Sequence, residues 1–186
     1  MTKFIFLLFI SFTALAQIQK DHIEYLEDKA GVLDIENVVK SPNFVTLNNK
    51  IPSLGIYPYP VWSRLKVTNK RSYRQNYYAQ ILLPYMDTVQ YFVIRNNIPA
   101  SLSEKMGWWS NIDNKHFQSP NHPFLFSLNP NENAVVYART VKTHGTVRVP
   151  FQIDTERDFL QKHYFKNTFY GWFLVMAFLI VLLNIF

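Results

Sequence analysis

Apolar residues recur at every second position in several short stretches of this chain. Val147, Val149, Phe151 and Ile153 alternate with Thr146, Arg148, Pro150 and Gln152. Val135, Tyr137, Arg139 and Val141 share one face of another stretch. Val61, Leu65 and Val67 oppose Trp62, Arg64 and Lys66, and Val89, Tyr91 and Val93 oppose Gln90 and Phe92. A period of two is that of a half-buried strand. Residues 77–83 and 123–128 are two further apolar segments, and 44–47 is a short one. Turn signals separate them: Asn48-Asn49, Asn69-Lys70, Asn96-Asn97, Asn129-Pro130-Asn131 and His144-Gly145. The pattern predicts seven or eight short strands and no long amphipathic helix before residue 155. It is that of a mainly β fold, an antiparallel sandwich or jelly roll. Residues 28–40 fit either a single helical turn or a strand.

The two ends are apolar in a different way. Lys3 precedes a run of Phe, Ile and Leu from residue 4 to 15, and Ala14-Leu15-Ala16 is a small-x-small cleavage signal. This predicts a secretory signal peptide at 1–16, with an uncleaved signal anchor as the alternative. Residues 168–186 contain no charged side chain. As a helix they would cover about 28 Å, close to the hydrocarbon thickness of a bilayer. Phe169, Tyr170 and Trp172 stand where an interfacial aromatic belt would be. The stretch 173–183 is apolar on every face, which suits lipid better than a protein core.

Thr155-Glu156-Arg157-Asp158 reads as a capping box. A helix could run from it directly into the span, or the stretch could be a plain linker. The expected organisation is a signal peptide at 1–16, a β domain at 17–154, a connector at 155–167 and a transmembrane helix at 168–186. Arg157, Lys162 and Lys166 precede the span, against the positive-inside tendency. The signal peptide is taken to decide the orientation, which puts the β domain outside a bacterial cytoplasmic membrane. No basic stop-transfer flank follows the span, and Asn184 lies within it. Both features favour a chain cut inside or just after the first helix of a larger membrane domain.

Composition narrows the chemistry. There is no cysteine, so no disulfide, no thiolate nucleophile and no Cys-ligated zinc. The formal charge is +6, and loss of Lys3 with the signal peptide would leave +5. The basic residues are scattered rather than clustered on one element, so nucleic acid is not an expected partner. The histidines His22, His116, His122, His144 and His163 show no ligand spacing. No Gly-x-Ser-x-Gly elbow or phosphate loop is present. The acidic residues are spread thinly, and no glycosidase pair stands out. Neither a metal, nor a cofactor, nor an enzymatic activity is expected.

Aromatic residues are the remaining signal. Tyr57, Tyr59 and Trp62 are close in sequence, and Trp108-Trp109 sits among Asn111, Asp113 and Asn114. Flat aromatic faces edged by amides suit sugars, although aromatics also fill cores. Adjacent Trp108 and Trp109 cannot both point inward from an extended chain, so one is expected on a binding rim.

The order of segments carries a resemblance. Val61-Trp62-Ser63-Arg64-Leu65-Lys66-Val67-Thr68-Asn69 is followed by Ile81-Leu82-Leu83-Pro84-Tyr85-Met86-Asp87-Thr88-Val89-Gln90-Tyr91-Phe92. Then come Pro123-Phe124-Leu125-Phe126-Ser127-Leu128, Tyr137-Ala138-Arg139-Thr140-Val141 and Arg148-Val149-Pro150-Phe151, ahead of a span with Leu182-Leu183-Asn184. Residues 20–186 resemble the N-terminal half of bacterial seven-transmembrane receptors with diverse intracellular signalling modules (7TMR-DISM type), with the second type of extracellular domain. The segment 107–119 departs from that pattern. The resemblance implies a jelly roll similar to carbohydrate-binding modules, further transmembrane helices and a cytoplasmic output domain. It implies a sensor that binds a small-molecule ligand such as a carbohydrate. Trp62, Arg64 and Arg139 match its motif positions and, with Trp108 and Trp109, are the candidate ligand contacts. The three motif residues could equally be structural, with Arg pairing a carboxylate such as Asp87. A membrane-tethered adhesion module and a periplasmic hydrolase are the alternative readings.

Overall fold

The computed structural model describes residues 23–46, 53–96, 98–103, 105–108 and 119–185. The signal peptide expected at 1–16 and Trp109 lie outside the described residues, as does the side chain of Asn184. The elements in chain order are β1 (Glu24–Glu27), α1 (Ile35–Lys40), β2 (Val45–Thr46), β3 (Ser53–Ile56), β4 (Val61–Thr68), β5 (Gln75–Ile81), β6 (Thr88–Arg95), β7 (Ile98–Leu102), β8 (Phe124–Leu128), β9 (Asn133–Val141), β10 (Thr146–Arg148), β11 (Phe151–Thr155) and α2 (Glu156–Ile185). The fold is mainly antiparallel β with a C-terminal helix long and apolar enough to cross a membrane.

One sheet has six strands in the order β2-β1-β4-β9-β6-β7, a second has β11-β5-β8, and β10 pairs with β3. The period-two residues explain how they pack. Register aligns Ser63, Ala138 and Tyr91 across the six-stranded sheet, and Leu65, Val136 and Val93 one step along. Their inward face meets Tyr77, Ala79, Ile81, Phe126, Leu128 and Phe151 of the three-stranded sheet in the main core. Tyr91 ties the two layers: its buried phenol oxygen accepts the Ile81 N–H at 3.0 Å. Desolvation pushes that phenol up from its ordinary pKa. Asn69, fully buried at the end of the strand that carries Trp62, places its amide nitrogen within 3.1 Å of the Tyr73, Leu128 and Asn129 carbonyls. That motif position therefore joins the two sheets at one corner.

The six-stranded sheet is buried on its second face as well. Leu26, Trp62, Phe92, Ile94 and Tyr137 form a smaller cluster there with Val38, and Leu33, Ile35, Val39 and Phe44 pack around it. The cover is the N-terminal segment with α1. Asp28 accepts the Val32 and Leu33 N–H groups at 3.2 and 3.0 Å, turning the chain out of β1. Asp34 then caps α1 by accepting the Asn37 N–H at 2.8 Å. Of the two readings open for 28–40, the helical turn is the one adopted.

The stretch 146–153, continuous by its alternation, is two strands. Pro150 has no N–H to give to a ladder, and the Phe151 N–H bonds to the Val149 carbonyl at 2.8 Å in a tight turn. Val147, Val149 and Phe151 nevertheless all reach the main core.

The connector is helix, not linker. Thr155 Oγ1 accepts the Asp158 N–H at 3.2 Å and donates to Asp158 Oδ2 at 2.7 Å. The helix then runs unbroken for 30 residues. Its first turns are docked on the three-stranded sheet. Phe159 is buried and stacks on Tyr78 at 4.1 Å. Asn76 donates to Glu156 at 2.9 Å, and Lys162 Nζ lies 2.6 Å from the buried Asp154 carboxylate. Beyond Tyr164 the large apolar side chains described are exposed.

Candidate functional site

Trp62 and Arg64 alternate along β4 and so share the outer face of the six-stranded sheet. Arg139 on β9 lies opposite Trp62 in register. The fold thus brings three of the five candidate residues together, but it uses them as scaffold. Trp62 is 1% exposed, tilted against Phe92 at 5.4 Å under the cover carried by α1. No face of the indole is open to solvent in this arrangement. Arg64 pairs with Glu24 on the neighbouring β1, and its guanidinium lies 3.9 Å from the Phe44 ring centroid. Arg139 sits 6.0 Å from the Trp62 ring centroid. Arg64 thus ties β1 to β4 by charge and holds the cover at Phe44 by cation–π contact, while Arg139 braces Trp62 within the sheet.

Asp87 is not the partner of either arginine. Its Oδ2 accepts the N–H of Thr143 at 2.6 Å and the Thr143 hydroxyl at 2.5 Å. These two bonds, the hydroxyl first, hold its carboxyl below the ordinary carboxylate range. They tie the loop between β5 and β6 to the turn between β9 and β10. A depressed pKa stabilises the fold above the unfolded value and is lost as pH falls through the folded one. Acidification below about pH 4 is therefore expected to release this tie, at a cost of about 1 kcal/mol. Thermal melts of wild type and Asp87→Asn between pH 6 and pH 3 should converge at the acid end.

Tyr85 on that braced loop pairs with Trp108 on the segment between β7 and β8. Tyr85 and Trp108 are 61% and 57% exposed, with ring centroids 5.1 Å apart and planes at 55°. The Trp108 N–H bonds to the Met86 carbonyl at 2.9 Å, and the Met86 side chain is fully buried beneath. A Cβ on Gly107 would stand 2.0 Å from the Asp87 carbonyl oxygen, so only glycine lets the two loops approach this closely. Tyr85 itself has φ 67, a left-handed conformation that costs a bulky residue about 1–3 kcal/mol. Two exposed rings on two cross-tied loops make a stacking platform. Tyr57 and Tyr59, 5.5 Å apart edge to face, form a second, smaller pair. Burial and a bond to Glu27 push the Tyr57 phenol up to about 12.

Trp108 is thus the one described candidate with an open face, and its companion is Tyr85. Sequence reading missed Tyr85 because it belongs to a motif stretch rather than to an aromatic cluster. Its only local signal was an aromatic directly after Pro84 in a loop. Among the described residues, no group of His, Asp or Glu side chains converges as metal ligands.

No curated protein matches the chain. The family model described as 7TMR-DISM extracellular 2 matches residues 20–155, which take in the β domain from before β1 to the end of β11. This extracellular domain, with one helix able to span a bilayer, marks a membrane protein. The chain belongs to the 7TMR-DISM extracellular 2 family.

Proposed function

We propose that the chain is the ligand-sensing input part of a bacterial membrane signalling receptor and performs no catalysis itself. In this reading α2 is held in the cytoplasmic membrane and the β domain faces outward. A small molecule such as a carbohydrate stacks on Tyr85 and Trp108. The bound state biases the orientation of α2, which passes the bias to further transmembrane helices and a cytoplasmic output domain. The observation that carries this reading is the unbroken α2, whose root is packed and ion-paired on the β domain while the large apolar side chains beyond it are exposed. A flexible tether would hold an adhesion module equally well. A docked, continuous helix instead transmits a rotation or tilt of the domain.

The test is titration of the full chain in nanodiscs with neutral oligosaccharides, followed by tryptophan fluorescence and calorimetry. Trp108→Ala is expected to weaken binding by at least about tenfold, as loss of a stacking ring does, with stability unchanged within about 0.5 kcal/mol. Oligosaccharide binding equal in wild type and Trp108→Ala would remove the platform from the account.

A further inference from the structure

We propose that the open edge of the β domain holds an oxyanion-binding cleft, built by Arg74, Arg95 and Ser127, that takes the carboxylate or phosphate of an acidic ligand. The cleft lies between β7 and β8, the edge strands of the two sheets, and has a volume of about 410 Å³. That is the size of a small-ligand site. Ser101, Ser127, Asn129 and the two arginines are its polar lining.

The charge arrangement points to an anion. Arg95 crosses from the six-stranded sheet, and its Nη2 donates to the Ser127 carbonyl at 2.6 Å. Arg74 reaches the same residue from the opposite sheet, with Nε and Nη2 at 3.0 and 2.6 Å from Ser127 Oγ. Two guanidinium groups therefore converge on one neutral serine. A single carboxylate offsets them. Glu132 Oε1 lies 2.9 Å from Arg95 Nε, but the N–H does not point along that line, so the contact is Coulombic. The other oxygen of Glu132 is taken by the Asn129 N–H at 2.7 Å. Among the described residues no carboxylate pairs with Arg74. The cleft keeps one uncompensated positive charge, and a guanidinium has five donors, of which Arg74 spends two on Ser127. An oxyanion in the cleft would take the remaining donors and relieve the repulsion between the two forks.

The cleft is also placed to matter. Gln75 pairs with Leu128, and Tyr77 with Thr155, so Arg74 and Ser127 stand at the end of the three-stranded sheet from which α2 departs. Asn76, opposite Ser127 in register, bonds Glu156 in the first turn of α2. An anion that repositions Arg74 acts two residues along the chain from that contact. The inference deepens the sensing reading and rests on it for its purpose, while the binding itself is measured separately.

The full chain in phosphatidylcholine nanodiscs is titrated calorimetrically with glucuronate, inorganic phosphate and, as neutral control, glucose. Arg74 is exposed, so Arg74→Gln is expected to leave the melting temperature unchanged. It should weaken glucuronate or phosphate binding by about tenfold or more, the worth of a charge-assisted bond. Ser127→Ala, which frees the Arg74 fork, should weaken it less. Nanodiscs containing phosphatidylglycerol separate the source of the anion. Arg74-dependent competition by that lipid assigns the cleft to a headgroup, and its absence assigns it to a dissolved acid. Failure of both anions to bind, or binding unaltered by Arg74→Gln, overturns the cleft and leaves the aromatic platform standing. Arg74-dependent binding with no change in hydrogen exchange of residues 156–167 upholds the cleft and contradicts sensing.

Discussion

Trp62→Ala is expected to destabilise the β domain by about 3–5 kcal/mol, the cost of removing a large aromatic from a closed site. The indole is fully enclosed between Phe92 and the α1 cover, so its loss opens a cavity that the surrounding strands cannot fill. Arg139 loses its cation–π partner at the same time. A residue that served mainly to bind ligand would show the opposite profile, with stability kept and affinity lost. Urea unfolding followed by circular dichroism decides between them. The expected result is a lower midpoint with an unchanged slope. Trp108→Ala is the matched control, because that ring is open to solvent.

The second large effect is local. Phe159 is the buried residue that seats α2 on the domain, stacked on Tyr78 beside the Asp154–Lys162 pair. Phe159→Ala is expected to remove about 3 kcal/mol of packing, spent mostly in freeing the helix root rather than unfolding the sheets. Hydrogen exchange of the full chain in nanodiscs should rise across residues 156–166 by about a hundredfold, the factor corresponding to that energy. Exchange in β4, β6 and β9 should stay unchanged. Equal acceleration in the sheets would mean that Phe159 is ordinary core and that α2 has no separate seat.

Strands whose two faces differ in chemistry were legible from the chain alone. β4, β6 and β9 declare themselves through alternation, and the capping box at Thr155 correctly marks the start of α2. The elements that escaped reading are short or polar. β1 pairs two glutamates with Tyr25 and Leu26 in four residues, and β7 carries Pro99 at a sheet edge, so neither has a clear period. The break at Pro150 was visible as a proline, but alternation on either side of it reads as one strand. The site was less legible for a different reason. Whether Trp62 faces ligand or core depends on α1, a distant segment that covers the outer sheet face, and no local pattern contains that fact. The Arg74–Arg95 cleft is likewise assembled from β6, β7, β8 and the turns before β5 and after β8, and exists only once the two sheets are stacked. Trp108 could be singled out because adjacent tryptophans in a polar loop already imply exposure.

The central claim is that occupancy of the β domain is felt by α2. Its most direct test is a distance measurement between spin labels at two exposed positions, Tyr73 in the β domain and Tyr164 on the helix, by pulsed electron resonance of the full chain in nanodiscs. Distributions are recorded without ligand and with a saturating oligosaccharide or glucuronate, whichever the titrations show to bind. The account predicts that the ligand redistributes the distances between two populations, and that Phe159→Ala broadens them and abolishes the response. A distribution identical with and without bound ligand would contradict it.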